Sequence, residues 1–381
     1  MSTNAIAELT ADFEEPFREL GRDADRDGDA VVISWPSVPV EIVRAAGLRP
    51  VCARGSAEPT PAADAVLEPE LFPNRLHQLV EAALTGRLAH VAAIVLPRTS
   101  DPDYKCFLYL RELARRGGVA ALPPVLLFDL LHSTGAEVPA YDAARTRELF
   151  ERLAGISRRR SAGPDALRAA SLAANTARRA ARRLDALRRE ELKIRGLEAL
   201  PLLGALWQTA PERYAALATA AADAIAARPP LSGARVLLAG APVDSRALHA
   251  ELETLGAVVV AEASPFGSGA AGEDVDVAAD PVVAIADRYR TSTIDARTPL
   301  TALERRIESL LRSVDAVVIS LPPDDASFGW DYPRLRRLLE RRSLPHVVLR
   351  HDPVRALAAA DRGRVDALLA TAAARQEARV G

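Results

Sequence analysis

Short apolar runs alternate with longer amphipathic segments through the first third of the chain. The runs are rich in β-branched residues and predict buried strands at 31–34, 51–53, 91–96 and 125–129. The segments between them have helical periodicity and predict helices at 39–46, 70–85 and 104–116. Strands that alternate with helices at this spacing are typical of a parallel, doubly wound sheet.

The same pattern returns after the pair Pro229-Pro230. Apolar runs predict strands at 235–239, 257–261, 314–320 and 346–349. Helices are predicted at 244–255, 283–289 and 300–312, from about 333, and at the end of the chain. Segment 265–280 is rich in Gly, Ala and Asp and has neither helical nor strand periodicity. Its length predicts a loop that faces a ligand.

Helical periodicity dominates the remaining segments. It predicts an acidic helix at 5–20 and three further helices at 142–154, 163–196 and 212–227. Arginines on the middle helices are interleaved with Asp and Glu, which is typical of a solvated helix face and not of a nucleic-acid stripe.

These elements predict an α/β protein with two Rossmann-like, doubly wound parallel-sheet domains joined by a helical region. We expect an N-terminal helix and connector, a first α/β domain, a helical linking region and a second α/β domain. Their predicted bounds are 1–29, 30–140, 141–230 and 231–381. A chain of 381 residues is long enough for two or three domains.

Composition narrows the choice of partners and of compartment. The net charge of -2 gives no general attraction to nucleic acid or to an anionic membrane. No apolar run approaches the roughly 18 residues of a membrane span, and the polar, acidic start does not resemble a signal peptide. Two cysteines cannot form a disulfide framework and fit a reducing cytoplasm.

The loop after the predicted strand 314–320 is rich in side chains that can bind or react. Such loops bind ligands because they lie beyond the carboxyl ends of parallel strands. A surface loop whose aromatics cover a sheet edge is the alternative. The side chains concerned are Asp324, Asp325, Phe328, Trp330, Asp331 and Tyr332.

Several short motifs occur in an order that resembles the 2-hydroxyacyl-CoA dehydratase / benzoyl-CoA reductase family, which includes the 2-hydroxyglutaryl-CoA dehydratase D-component. Each motif is weak alone, and the resemblance rests on their order and spacing from about residue 31 to residue 369. The motifs are 35–51, Thr99-Ser100-Asp101, Asn175-Thr176-Ala177-Arg178, Gly240-Ala241-Pro242, Ala286-Asp287-Arg288-Tyr289 and Gly329-Trp330-Asp331-Tyr332-Pro333.

The resemblance implies a fold and a chemistry. It implies two Rossmann-like domains joined by helices, usually paired with a second, related subunit. An acyl-CoA and a 4Fe–4S cluster would lie in the cleft. The reaction implied is a one-electron reduction of a CoA thioester, begun by an ATP-dependent activator, that leads to dehydration or ring reduction.

The chain departs from the family at the cluster ligands. Members of the family hold the cluster with three cysteine thiolates, and the corresponding positions here are Phe72, Ser100 and Asp325. Cys52 and Cys106 match none of these positions, and two cysteines cannot supply three thiolates. No histidine pair has the spacing of a metal motif. We therefore expect this chain to bind no cluster or metal by itself.

Three functions remain open. In the first, the chain is a cluster-free subunit of a dehydratase-like lyase or reductase complex, and a related cysteine-bearing partner forms a heterodimer with it and holds the 4Fe–4S cluster. In the second, the cleft has acquired non-redox chemistry. In the third, the chain is a binding or scaffold protein without catalysis.

Each hypothesis has its own candidate residues. For the first, the candidates for acyl-CoA binding are Trp35, Glu41, Arg98, Phe328 and Trp330, with Arg98, Arg288 and Arg350 as possible partners of the CoA phosphates. For the second, the candidate catalytic residues are Ser100, Asp101, Asp324 and Asp325, because paired carboxylates can bind a hard cation or transfer protons. Solvated loop carboxylates and solvated surface arginines are the plainer alternatives.

Overall fold

The computed structural model describes residues 2–14, 17, 20, 28–117, 122–158, 163–323, 325 and 327–380. Its first sheet contains β1 (Ala30–Ile33), β2 (Arg49–Cys52), β3 (Ala93–Pro97) and β4 (Val125–Phe128). The order is β2-β1-β3-β4, and every neighbouring pair is parallel. The helices before and between these strands are α1 (Ser2–Glu14), α2 (Val40–Ala45), α3 (Pro61–Asp64), α4 (Asn74–Leu84) and α5 (Asp101–Arg116).

A layer of helices follows the first sheet. It contains α6 (Val138–Ile156), α7 (Pro164–Arg189), α8 (Gly196–Gly204) and α9 (Pro211–Ala226), with a 3-10 turn at Ala205–Trp207. The apolar faces of these helices join one side of the first sheet in a shared core. None of the helices in the described ranges is long and apolar enough to cross a membrane.

The second sheet repeats the topology of the first. Its strands are β5 (Ala234–Gly240), β6 (Ala257–Glu262), β7 (Ala316–Ser320) and β8 (His346–Leu349), in the parallel order β6-β5-β7-β8. Its helices are α10 (Ala247–Thr254), α11 (Pro281–Ser292), α12 (Leu300–Leu310), α13 (Phe328–Arg341) and α14 (Ala359–Val380). The prediction of two doubly wound parallel sheets joined by helices is confirmed.

Several of the predicted helices have different bounds, among them the helix predicted at 104–116, which begins at Asp101. The helix predicted at 163–196 ends at Arg189, and a separate, unpredicted helix begins at Gly196. The helix predicted at 70–85 begins only after Pro73, and the one predicted from about 333 begins at Phe328. Part of the connector predicted within 1–29 lies outside the described residues.

The loop 265–280 does not face the cleft, which corrects the prediction made from its length. Phe266 is fully buried and makes an edge-on contact with Trp35, with 5.3 Å between the ring centroids. The side-chain amide of Asn175 on α7 pairs with both backbone groups of Val275, at 2.8 Å each. The loop therefore packs against the helical layer and the segment after β1, and none of its residues lines the cleft.

A buried ionic network holds α2 against α7 and α11. The carboxylate of Glu41 accepts a hydrogen bond from Arg178 and another from the Tyr289 hydroxyl at 2.9 Å. Arg178 also donates to Asn175 at 2.8 Å. Burial would raise the pKa of Glu41, but the charges of Arg178 and Arg288 outweigh it and lower that pKa. Glu41 is therefore part of the scaffold that fixes the first sheet to the helices.

Candidate functional site

A cleft of about 860 Å³ lies between the two sheets. It is lined by the loops that follow β1, β2 and β3 in the first sheet and β5, β7 and β8 in the second. In both sheets the strand order reverses beside the first strand, between β1 and β3 and between β5 and β7. Open parallel sheets bind ligands at this switch point, and the volume is typical of a small-molecule site. We therefore take the cleft as the candidate functional site.

Backbone geometry brings the two loops of the second sheet close together. Gly240 ends β5 with φ of 93°, a left-handed conformation that glycine adopts without strain. A Cβ at this position would lie 2.3 Å from the carbonyl oxygen of Ser320 at the end of β7. The Gly240-Ala241-Pro242 motif therefore permits the close approach that shapes this wall of the cleft.

The loops of the two sheets are joined directly at one end of the cleft. The backbone N–H of Gly55, in the loop after β2, donates to the Asp244 carboxylate at 2.7 Å. Arg54 Nε donates to the backbone carbonyl of Asp244 at 3.1 Å. These bonds cross from one α/β unit to the other and set the separation of the walls.

A hydrogen-bonded group around Asp103 forms part of the cleft wall. Asp103 lies in the first turn of α5 and is 1% exposed. Its carboxylate accepts from Ser34 Oγ at 2.7 Å, from Arg75 Nη2 at 2.8 Å and from the Ser100 hydroxyl. Ser100 in turn accepts from the backbone N–H of Asp103 at 3.1 Å and caps α5. Ser100 is thus positioned by the helix that follows it.

The guanidinium of Arg75 is fixed from two sides. It lies over the indole ring of Trp35, 4.5 Å from the ring centroid, and Nη2 pairs with Asp103. Arg75 is 8% exposed, yet Nη1 has no hydrogen-bond partner among the described residues. A buried guanidinium nitrogen without a partner is uncommon, because the missing hydrogen bond costs free energy.

A histidine on α4 also lines the cleft. His77 Nδ1 lies 2.8 Å from Asp64 Oδ1, which also accepts from the Thr60 hydroxyl at 2.9 Å. Since a carboxylate only accepts hydrogen bonds, Nδ1 of a neutral ring would donate and leave Nε2 as an acceptor. Nε2 is buried and has no partner within the described part of the chain.

Asp295, in the loop after α11, is the centre of a third polar group in the cleft wall. Its carboxylate accepts from Ser37 Oγ at 3.0 Å and from the backbone N–H of Arg297 at 2.8 Å, and His132 Nε2 lies 3.9 Å away. Burial raises the pKa of Asp295, and the nearby positive charge of a protonated His132 would oppose that rise. A carboxyl group with a raised pKa in a cleft can retain its proton at higher pH than a solvated one.

Asp325 organises the start of α13. Its Oδ1 accepts from the backbone N–H of Phe328 at 3.0 Å, and its Oδ2 accepts from that of Gly329 at 2.6 Å. A Cβ on Gly329 would lie 3.0 Å from that same Oδ2, so the glycine leaves room for the carboxylate. Asp325 lines the cleft, but its oxygens are used by the helix terminus.

This arrangement predicts how substitutions of Asp325 behave. Asp325→Ala should lower the free energy of unfolding by about 1 kcal/mol, because backbone N–H groups of α13 lose their acceptor. Asp325→Asn should retain more than half of that stability, since the amide oxygen still accepts. Chemical denaturation of the two variants measures the difference. Equal losses would show that α13 requires the charge and not the accepting oxygen.

The three positions expected to hold cluster ligands have other roles in this fold. Ser100 caps α5, and Asp325 accepts from the start of α13. Phe72 is 1% exposed and packs edge-on against Tyr109, with 5.4 Å between the ring centroids. Of the candidate site residues and cluster-ligand positions singled out from the sequence, five line the cleft: Trp35, Phe72, Ser100, Asp325 and Phe328.

The other candidates lie elsewhere or are not described. Asp101 is exposed and pairs with Arg297 at 3.4 Å, and Arg98 pairs with Asp129 at 3.4 Å. Trp330 is 84% exposed and is not among the residues that line the cleft. Asp324 lies outside the described residues. Three other candidates do not line the cleft: Glu41 and Arg288 are buried in the scaffold, and Arg350 is exposed.

Sequence reasoning missed the residues that dominate the cleft. Arg75, His77 and Asp103 lie in the first turns of α4 and α5, where they look like ordinary surface positions of an amphipathic helix. Asp295 lies in a short loop without a motif. Pro73 and Ser100 could have located Arg75, His77 and Asp103, because each marks the start of a helix that follows a cleft loop.

Carboxylates outnumber cations along the cleft. Among the described residues, eight carboxylate side chains and two arginines line it. The carboxylates are Glu58, Asp64, Glu70, Asp103, Asp244, Asp295, Asp325 and Asp352, and the arginines are Arg75 and Arg355. The lining therefore opposes the entry of additional negative charge wherever these carboxylates are ionised.

Neither cysteine is available to a cofactor in the cleft. Cys52 ends β2 and Cys106 lies on α5. Both are fully buried, and both are free thiols. Burial raises the pKa of both thiols, which opposes the thiolate form that binds metal. Within the described ranges, no group of three or more His, Cys, Asp or Glu side chains could hold a metal ion. The residues present do not fit a 4Fe–4S cluster.

Comparison with known proteins connects this architecture to a family. No curated protein matches the sequence. The family model described as 2-hydroxyglutaryl-CoA dehydratase, D-component, matches residues 37–370. That span covers the helical layer, the second sheet and most of the first, together with nearly all of the cleft. The chain belongs to the 2-hydroxyglutaryl-CoA dehydratase D-component family.

Proposed function

We propose that this chain is a cluster-free subunit of a complex that resembles 2-hydroxyacyl-CoA dehydratase or benzoyl-CoA reductase. Its cleft would receive the acyl end of a CoA thioester. A related, cysteine-bearing subunit would pair with it as a heterodimer and hold the 4Fe–4S cluster. The two buried, free cysteines support a reducing, cytoplasmic setting for this complex.

The proposal rests mainly on the roles of the residues at the three positions where the family resemblance implies cluster ligands. Ser100 and Asp325 accept hydrogen bonds at helix starts, and Phe72 belongs to a hydrophobic core. Serine and aspartate are preferred at helix N-termini, and phenylalanine fills a core well. Each of these residue types suits the position that it occupies, which is what we expect of a subunit adapted to work without a cluster of its own.

The cleft supports the second part of the proposal. It lies at the switch points of both sheets, and apolar and aromatic side chains line it together with its charged and polar groups. Trp35 and Phe328 supply apolar surface, and Arg75 supplies a fixed donor. This combination suits the acyl–pantetheine arm of a thioester. The phosphates of CoA would remain near the rim, where the exposed Arg355 lies.

A second candidate function rests on the group around Asp103. Ser100 and Arg75 both donate hydrogen bonds to the Asp103 carboxylate, which joins the three side chains into one polar unit in the cleft. Such a unit could serve a non-redox reaction of a thioester, in which Ser100 or a carboxyl group transfers a proton. Activity of the lone, iron-free chain on an acyl-CoA would favour this candidate over the first.

Iron analysis tests the first candidate. We expect no iron or acid-labile sulfide in the chain purified anaerobically by itself. We expect one iron–sulfur centre per heterodimer after co-expression with the product of the neighbouring gene. A visible spectrum of both samples identifies the cluster type. Iron and sulfide bound stoichiometrically by the lone chain would contradict the proposal, and so would a co-expressed complex without iron.

A further inference from the structure

Two buried polar atoms in the cleft wall lack a hydrogen-bond partner within the described residues. They are Arg75 Nη1 and His77 Nε2, and both belong to the first two turns of α4. Most carboxylates of the wall have backbone or side-chain donors, so Arg75 stands out as a donor that is still free. A bound oxygen atom would supply the missing acceptor for Nη1.

The surroundings of Arg75 prepare it to bind an acceptor at one place. Stacking on Trp35 and pairing with Asp103 restrict the rotation of the guanidinium before any ligand arrives. A donor fixed in this way loses little side-chain entropy when it binds. The N-terminus of α4 lies beside it and adds partial positive charge.

Charge decides which kind of oxygen fits. The positive charge of Arg75 is already balanced by Asp103, so the pair is neutral as a whole. A ligand carboxylate would add a negative charge to a wall that also contains Asp244 and Asp325. A carbonyl oxygen is neutral and accepts the same hydrogen bond without that repulsion.

We infer that Arg75 binds the thioester carbonyl oxygen of an acyl-CoA, and that the cleft selects acyl groups without a second carboxylate. This inference rests on the proposed function, because it assumes that the cleft receives an acyl-CoA. It goes further by naming the binding residue and the substrate class. A neutral acyl chain would lie along the apolar surface of Trp35 and Phe328.

Calorimetric binding to the full chain tests both parts. The probes are butyryl-CoA, succinyl-CoA and free CoA: the first two have four-carbon acyl groups that differ by a terminal carboxylate, and the third has no carbonyl. We expect wild-type protein to bind butyryl-CoA at least roughly 10-fold more tightly than succinyl-CoA. Arg75→Lys keeps the charge beside Asp103 but loses the forked donor, and should weaken butyryl-CoA binding roughly 10- to 100-fold. Binding of free CoA should not change.

Controls separate this inference from the proposed function. Arg183→Met removes an arginine that pairs with Asp223 on an exposed helix face, and should leave all three affinities unchanged. Equal affinity of wild type and Arg75→Lys for butyryl-CoA would overturn the role of Arg75 while the acyl-CoA cleft stands. Tighter binding of succinyl-CoA would overturn the predicted selectivity. Binding of no CoA species, by the chain alone or by its co-expressed complex, would overturn the proposed function itself.

Discussion

Replacement of Arg188 by methionine should lower the free energy of unfolding by about 3–5 kcal/mol. Arg188 lies on α7 with its side chain fully buried, and it donates to both oxygens of Glu262 on β6, at 2.7 and 2.8 Å. His249 Nε2 lies 2.8 Å from the same carboxylate. The substitution removes the main partner of a carboxylate that is 1% exposed, and an uncompensated buried charge is costly.

The same pair makes stability depend on pH. Burial would raise the pKa of Glu262, but the Arg188 charge and hydrogen bonds from His249 and Arg188 lower it to about 2. The ordinary value is 4.5, so the folded state binds this proton less tightly than the unfolded state. The stabilisation is therefore complete above pH 4.5 and is lost as the pH falls from there to about 2. Its size is about 3 kcal/mol.

Denaturant unfolding of wild type and variants between pH 7 and pH 3 measures both effects. Glu262→Gln has no carboxylate at this position, so its stability should fall less steeply than that of wild type below pH 4.5. Arg183→Met breaks an exposed pair with Asp223 and should change stability by less than about 1 kcal/mol. Identical pH slopes for wild type and Glu262→Gln would show that the Arg188–Glu262 pair does not hold this proton.

The strands were predictable from the sequence because each is a short apolar run between helices, and the confirmed parallel pairing of the strands follows from that alternation. The ionic networks were not predictable. Arg188 and Glu262 are 74 residues apart, and Arg178 and Glu41 are 137 apart. In the sequence, Arg178 and Arg188 are simply two members of an arginine-rich helix, and only the packing of α7 separates the buried ones from the solvated ones.

The loops that line the candidate site were predictable from the sequence, but the roles of their side chains were not. Ser100, Asp325, Trp35 and Phe328 line the cleft, as loops beyond parallel strands should. Their chemistry depends on helix starts that the pattern placed three to five residues too late. A helix that begins at Asp101 makes Ser100 a cap, and one that begins at Phe328 gives Asp325 three backbone donors. Periodicity locates the middle of a helix better than its ends.

Restoring the family's three cysteines should destabilise this fold and not repair it. In Phe72→Cys/Ser100→Cys/Asp325→Cys, the first change leaves a cavity in a core and costs about 2–4 kcal/mol. Each of the other two removes a hydrogen-bond acceptor from a helix start and costs about 1 kcal/mol. We therefore expect the triple variant to lose about 4–6 kcal/mol of unfolding free energy.

Denaturant unfolding of the triple variant and the three single variants measures these losses. The sum of the single losses should match that of the triple variant if the sites are independent. Anaerobic reconstitution with iron and sulfide, followed by a visible spectrum, tests the ligand positions separately. We expect little cluster formation, because Ser100 and Asp325 lie in backbone conformations fixed by the helices they start. Stable protein with a full cluster would mean that the three positions can still be arranged as ligands, which contradicts the expected loss of stability.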